Sequence, residues 1–198
     1  MTKRKHNIIQ TPMGETQVLL HTCCAPCSSA IIEALLQNGI TPIIYYCNPN
    51  IYPQEEYEIR KNECTRYAQS LGLEIVDADY DHDNWLAEMK GLECEPERGG
   101  RCLKCFKLRL LRTAQYAAQR GIKVITTTLA SSRWKSLDQI NEAGHWAVKD
   151  ISPDVIWWDQ NWRKGGLQER RLQIIKEYDF YNQLYCGCEF SMSKEILI

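Results

Sequence analysis

"TQVLLHTCCAPCSSAIIEALLQNG", residues 16–39, runs from a short apolar stretch through three thiols into a stretch with helical periodicity. Residues 16–22 read as a buried strand, being brief, apolar and partly β-branched. Beyond the thiols, Ile31, Ile32, Leu35 and Leu36 recur at helical spacing, and Gly39 supplies the stop. A strand that passes through a short loop into a helix is the opening of an α/β fold.

The same alternation continues down the chain. Residues 40–49, 73–81 and 122–131 read as further strands, and 153–162 as a fifth strand or an extended aromatic segment. Helical patterns occupy 54–72, 82–91, 106–121, 136–150 and 167–185, with a charged, glycine-rich loop at 92–105. There is no internal repeat and no low-complexity linker. The expectation is one α/β domain over residues 1–198, a parallel sheet with helices on both faces. Residues 1–15 are expected to form a flexible basic arm, and 183–198 a Cys-Gly-Cys tail closing on the site. In such sheets ligands sit at the carboxyl ends of the strands, which is where Cys23, Cys24 and Cys27 fall.

Composition sets the class. At 198 residues, with 44% hydrophobic and 25% charged residues, the chain has the balance of a soluble globular protein. No stretch reaches the roughly 20 apolar residues a membrane helix needs. The start, "MTKRKHNIIQ", lacks the apolar core of a secretion signal, so a cytoplasmic location without membrane attachment is expected. Ten cysteines in that setting point to metal binding or redox chemistry rather than a disulfide framework. Net charge is −1, but residues 98–120 carry seven positive side chains and no negative one. A second basic patch holds Arg163, Lys164, Arg170, Arg171 and Lys176. Either is a solvated helix face or a surface that follows phosphates.

Three cysteine groups lie at loop–helix boundaries: Cys23/Cys24/Cys27, Cys102/Cys105 and Cys186/Cys188. A Cys-x-x-Cys pair opening a helix places two sulfurs near free backbone N–H groups, which favour thiolate. Arg101 and Lys104 add positive potential beside Cys102 and Cys105. Cys23, Cys24, Cys102 and Cys105 together would make a four-thiolate set suited to a 4Fe-4S cluster or to zinc. Spacing does not choose between them, although adjacent cysteines are unusual in a closed zinc site. Cys186-Gly187-Cys188 is either an unpaired tail motif or a short, easily reduced bridge. Cys47 and Cys64 read as small buried hydrophobes, and Cys94 as a loop residue leading toward Cys102.

The other polar candidates carry less. His21 abuts the thiols, as a proton donor, a ligand-orienting group or a core histidine. His82 and His145 stand in no constellation, and Asp150, Asp154 and Asp159 show no acid–base spacing. Trp134, Trp157, Trp158 and Trp162 pack in the core or stack on bases, packing being the commoner fate. "TTLASSRWKS", residues 127–136, sets hydroxyls beside Arg133 and Lys135 at a strand's carboxyl end, a substrate contact or a capped loop. Neither a P-loop nor a dinucleotide glycine motif follows any strand, which disfavours nucleotide hydrolysis and nicotinamide binding.

"HTCCAPC" (21–27), "YYCNPNIYPQEEYEIRKNE" (45–63), "ERGGRCLKCFKLRL" (97–110), "TTTLASSRWKS" (126–136) and "YCGCEFS" (185–191) resemble, in order, the motifs of epoxyqueuosine reductases of the QueH type. The resemblance implies a fold similar to the adenine-nucleotide α-hydrolases, with "CCAPCSS" in place of their phosphate loop and no use of ATP. It implies reductive removal of the epoxide oxygen from the modified wobble base of a tRNA, the last step of queuosine formation. It places a 4Fe-4S cluster on Cys23, Cys24, Cys102 and Cys105, and a redox-active pair on Cys186 and Cys188. Cys27 would be free to ligate a second metal, a mononuclear iron. The tRNA would be held through Lys107, Arg109, Arg133 and Lys135, and an electron donor of unknown identity is required. Two rival readings stay open at this level: an iron-free thiol–disulfide oxidoreductase and a zinc-stabilised RNA-binding module.

Overall fold

The computed structural model describes residues 8–151 and 153–192. Five strands, β1 (Gln17–Thr22), β2 (Thr41–Tyr46), β3 (Ile75–Asp77), β4 (Val124–Thr127) and β5 (Ile156–Trp157), form one all-parallel sheet in the order β3-β2-β1-β4-β5. Among the described residues six α-helices surround it: α1 (Ala25–Gln37), α2 (Gln54–Ser70), α3 (His82–Glu88), α4 (Gly100–Arg120), α5 (Leu137–Lys149) and α6 (Leu167–Glu177). The α1 helix packs with α2 and α6, and α4 packs with α5. Val18, Leu19, Leu20, Ile43, Ile44, Val124 and Ile125 are all buried, which is the burial pattern of central parallel strands covered on both faces. Among the described residues no helix is long and apolar enough to cross a membrane.

The chain builds outward from β1 through β2 to β3, then crosses back to lay β4 on the other side of β1. The gap between the ends of β1 and β4 is therefore the point where strand order reverses, and ligands of such sheets bind there. The three first thiols follow β1 directly into that gap.

Three boundaries differ from the sequence reading. The α4 helix begins at Gly100, not at residue 106, because Glu95 Oε2 accepts the Gly100 N–H at 2.9 Å and caps the new end. Cys102 and Cys105 thus stand in the first turns of a helix. The last helix stops at Glu177, and Asp179 turns left-handed at φ 50°. Tyr178 and Phe180 then fold back onto the ring of Tyr67, at centroid distances of 5.0 and 5.2 Å. Residues 179–188 run as an irregular strap that ends in a 3-10 turn at Glu189–Ser191. At the other end, residues 8–15 are tied down, since Ile9 N–H donates to Asn38 Oδ1 at 3.0 Å and Thr11 is buried. Residues 1–7 of the expected arm and 193–198 of the tail lie outside the described residues.

One glycine records a close approach. A Cβ on Gly144 of α5 would stand 2.1 Å from Cε2 of Trp157, so the helix meets the indole there without a side chain between them.

Candidate active site

Cys23 and Cys24 occupy the turn between β1 and α1, with Cys24 as the N-cap. Pro26 fills the first helical turn, where its missing N–H has no intrahelical partner to lose. The Cys27 and Ser28 amides donate to Cys24 O, each at 3.2 Å, which winds the segment tightly. As a result the sulfurs of Cys23, Cys24 and Cys27 all lie within 4.8 Å of one another, a group able to hold a metal ion. Cys24 and Cys27 donate to Cys23, which holds the Cys23 thiol well below its usual range. Cys27 is pushed up to about 12, chiefly by its bond to Cys23.

The neighbouring strand end fixes this loop. Cys23 N–H donates to Thr128 Oγ1 at 3.2 Å, and that hydroxyl donates to Cys23 Sγ at 3.4 Å. Gln183 on the strap donates from Nε2 to Cys24 Sγ at 3.2 Å. Arg171 of α6 donates to Pro26 O at 2.8 Å.

Behind the loop, His21 is fully buried. Its Nε2 donates to Cys47 O at 3.0 Å, so Nδ1 is the acceptor and takes the Thr127 hydroxyl at 2.7 Å. Burial, and then the Arg109 charge, lower its pKa to about 3. It is a neutral strut between strand ends, not a proton donor. Cys47 and Cys64 are buried in the core, as read, and burial raises both thiols.

Two cavities open on the thiols. The larger, about 830 Å³, is lined by Cys27, Ser131, Arg133, Trp134, Arg163, Arg171 and Cys186, among others. The smaller, about 40 Å³, is lined by Cys102, Cys105, Cys186 and Cys188 together with Arg101 and Arg109. Cys186 belongs to both. Lys135 donates to Cys186 Sγ at 3.3 Å, and its charge is reinforced by Cys186, Cys23 and Cys27, which raises its pKa. Cys102 accepts the Arg98 N–H at 3.3 Å. Cys186 thus links the cavity of Cys27 to that of Cys102, Cys105 and Cys188, but among the described residues only Cys23, Cys24 and Cys27 form a group within 4.8 Å. All ten cysteines are free thiols, so Cys186 and Cys188 are unbridged here. Cys94 is exposed and lines neither cavity.

The basic stretch 98–120 is built differently from a phosphate-tracking face. Arg109 is 2% exposed and donates to Cys47 O at 3.2 Å and to Asn48 Oδ1, so it cannot reach a phosphate on the surface. Arg101 is buried too and gathers the carbonyls of Leu92, Glu93 and Glu95. Lys104 pairs with Glu88, and Lys107 pairs with Glu142 at 2.8 Å beside the Trp146 ring. Arg98 donates to the carbonyls of Arg133 and Trp134, Arg112 to Ala78 O, and Arg120 pairs with Glu74. These charges brace the helix against its neighbours. Arg133 and Trp134 are exposed at the cavity rim, with the guanidinium 5.4 Å from the indole ring centre. Trp157, Trp158 and Trp162 are buried.

A profile of the family described as "Epoxyqueuosine reductase QueH" matches residues 18–194. The chain belongs to the QueH family. It is 49% identical over 184 residues to epoxyqueuosine reductase QueH of Histophilus somni, covering 93% of this chain and 75% of the relative. The protein of the same name in Acinetobacter baylyi is 47% identical, with 93% and 84% covered. That of Thermotoga maritima is 33% identical, with 88% and 90% covered. QueH membership makes the chain an oxidoreductase in queuosine biosynthesis, which sets aside the non-enzymatic zinc module. Sequence reasoning missed Gln183 as a partner of the thiols and saw Arg171 only as one charge of a basic patch. The one signal for Gln183 was its place two residues before the Tyr185–Ser191 motif.

Proposed function

We propose that this chain reduces the epoxide of epoxyqueuosine, at the wobble position of a tRNA in the cytoplasm, to the cyclopentene of queuosine. The observation that carries this reading is a group of three sulfurs within 4.8 Å of one another, of which Cys27 lines a cavity of about 830 Å³ together with Cys186 of the strap.

The donor set fits an iron–sulfur centre. Arg101 and Arg109 are buried beside Cys102 and Cys105, and no carboxylate pairs with either among the described residues. Burial pushes the Cys102 thiol up and the Arg101 charge opposes that rise; a bound metal would displace the remaining proton. Cys23, Cys24, Cys102 and Cys105 would hold a 4Fe-4S cluster, leaving Cys27 for a second mononuclear iron. A narrower reading has its own support. The Cys23–Cys24 sulfur separation is 3.8 Å. Metal–sulfur bonds of about 2.3 Å set an edge of about 3.8 Å around one tetrahedral ion. When bound, such a centre supplies electrons one at a time together with Lewis acidity.

The residues of the chain do the rest. Thr128 and Gln183 orient the sulfurs of Cys23 and Cys24 by hydrogen bonds, as outer partners of metal ligands do. Trp134 offers a stacking face for a base splayed from the anticodon loop, and Arg133 a phosphate contact. Lys135 holds a proton at Nζ beside Cys186 and the triad. Deoxygenation consumes two electrons and two protons and releases water; the Cys186/Cys188 dithiol holds both pairs, and an external donor restores it.

Anaerobic reconstitution with iron and sulfide is expected to give brown protein with about four iron per chain. One metal ion and no sulfide would support the single-ion centre instead. Turnover is measured as conversion of epoxyqueuosine to queuosine in digested tRNA, and full turnover by metal-free protein would refute a metal-centred reaction. Cys102→Ala is expected to lose cluster and activity together, while Cys186→Ser keeps the cluster.

A further inference from the structure

The motif "YYCNPNIYPQEEYEIRKNE", residues 45–63, contributes no sulfur to either cavity. Its structure points at the strap. Arg60 of α2 is 2% exposed, and its Nη2 and Nε lie 2.6 and 2.7 Å from Glu56 Oε1. The second oxygen of Glu56 accepts the Tyr181 hydroxyl at 2.8 Å. Fixed in this way, the guanidinium donates to two successive carbonyls, Nη2 to Tyr185 O at 3.3 Å and Nη1 to Cys186 O at 3.4 Å. The Tyr185 ring covers it at 5.2 Å.

The loop before α2 grips the next residue. Tyr52 N–H donates to Gly187 O at 2.9 Å, and the Tyr185 hydroxyl donates to Tyr52 O. Gly187 has φ +119°, and a Cβ there would stand 3.1 Å from both Arg60 Nη1 and Ile51 Cγ1. Three consecutive carbonyls, those of residues 185, 186 and 187, are therefore held from one side. The Cys186 side chain meets Lys135 instead.

We propose that Arg60, anchored by Glu56, is the positioning residue that seats Cys186 and Cys188 at the rim of the thiol cavities, where the pair serves as the two-electron source. This rests on the dithiol reading of those cysteines. In that step two S–H bonds break and one S–S bond forms. The two C–O bonds of the epoxide break as a C=C bond forms, and both protons leave with the oxygen as water. An external dithiol reductant then returns the disulfide to thiols. Holding the backbone at 185–187 fixes the directions in which both side chains leave the chain. A lysine would keep the charge but not the planar fork that reaches a carboxylate and two carbonyls at once.

The test uses the metallated full-length protein, a tRNA bearing epoxyqueuosine and a dithiol reductant. Arg60→Gln is expected to lower kcat at least tenfold with KM and metal content unchanged, and to speed hydrogen exchange of the Tyr52 amide at least tenfold. Arg60→Lys should be impaired in the same two readouts. If Arg60→Gln does not fold, Gly187→Ala displaces the strap while leaving α2 intact, and the same pattern is expected. Normal kcat in these variants while Cys186→Ser is inactive overturns the positioning role alone. Unchanged Tyr52 exchange overturns it as well. Full turnover by Cys186→Ser overturns the dithiol reading, and with it the purpose assigned to Arg60.

Discussion

Replacing Arg109 by methionine separates two uses of a basic helix. In the structure the guanidinium is buried and donates to Cys47 O and Asn48 Oδ1, while His21 Nε2 also serves Cys47 O. Methionine keeps the apolar stem, leaves Cys47 O one partner and strips Asn48 Oδ1 of its donor. A buried acceptor left unpaired costs about 1–3 kcal/mol, and a lost charge-assisted bond falls in a similar range. Removing a buried charge offsets part of this, so we expect a net loss of about 2 kcal/mol. For a domain of this size that lowers Tm by about 4–8 °C. The assay is thermal unfolding alongside tRNA affinity measured across a salt series. A phosphate contact would instead leave Tm unmoved and shrink the salt slope by about 0.7–0.9. That second pattern, with Tm changed by less than about 1 °C, would refute the clamp assigned to Arg109.

Further expectations follow from the same geometry. His21 has its pKa lowered from 6.5 to about 3, so the unfolded chain binds the proton that the folded chain refuses. Its contribution is intact above pH 6.5 and is lost as pH falls toward 3. Urea unfolding should therefore lose about 1.4 kcal/mol per pH unit from this group, and His21→Gln should flatten that dependence. Gly144→Ala drives a methyl into the Trp157 indole and should cost about 1–3 kcal/mol, seen as a lower urea midpoint at unchanged m; an unchanged midpoint would show that α5 shifts freely. Trp134→Ala should raise KM for tRNA while sparing metal content and Tm, since the ring is 69% exposed at the cavity rim. Equal KM would remove Trp134 from substrate binding.

The parallel α/β sheet was readable because its strands are short, apolar and each followed by a helix of ordinary period. Strand order was not, since local pattern carries no record of which side of β1 receives β4. The position of Cys23, Cys24 and Cys27 followed from the first strand–helix boundary alone. The basic run at 98–120 stayed open between two readings, because a count of like charges cannot show that Glu88, Glu142 and Glu74 come from elsewhere to meet Lys104, Lys107 and Arg120. Arg101 and Arg109 hid their roles for another reason: their partners are mainly backbone carbonyls, which every residue supplies. The end of α6 was misjudged because residues 178–185 keep a helix-compatible composition. Edge-to-face packing of Tyr178 and Phe180 on Tyr67, a contact across more than a hundred residues, decides it.

The strap after α6 gives the reaction chamber unequal walls. Cys23, Cys24, Cys27, Cys102 and Cys105 hang from the first turns of helices and the end of a central strand. Cys186 and Cys188 ride on backbone that joins no strand of the sheet. A single proteolytic nick within the strap would thus disconnect two thiols and leave the other five in register. Fragment-complementation experiments on this chain have a natural cutting point there.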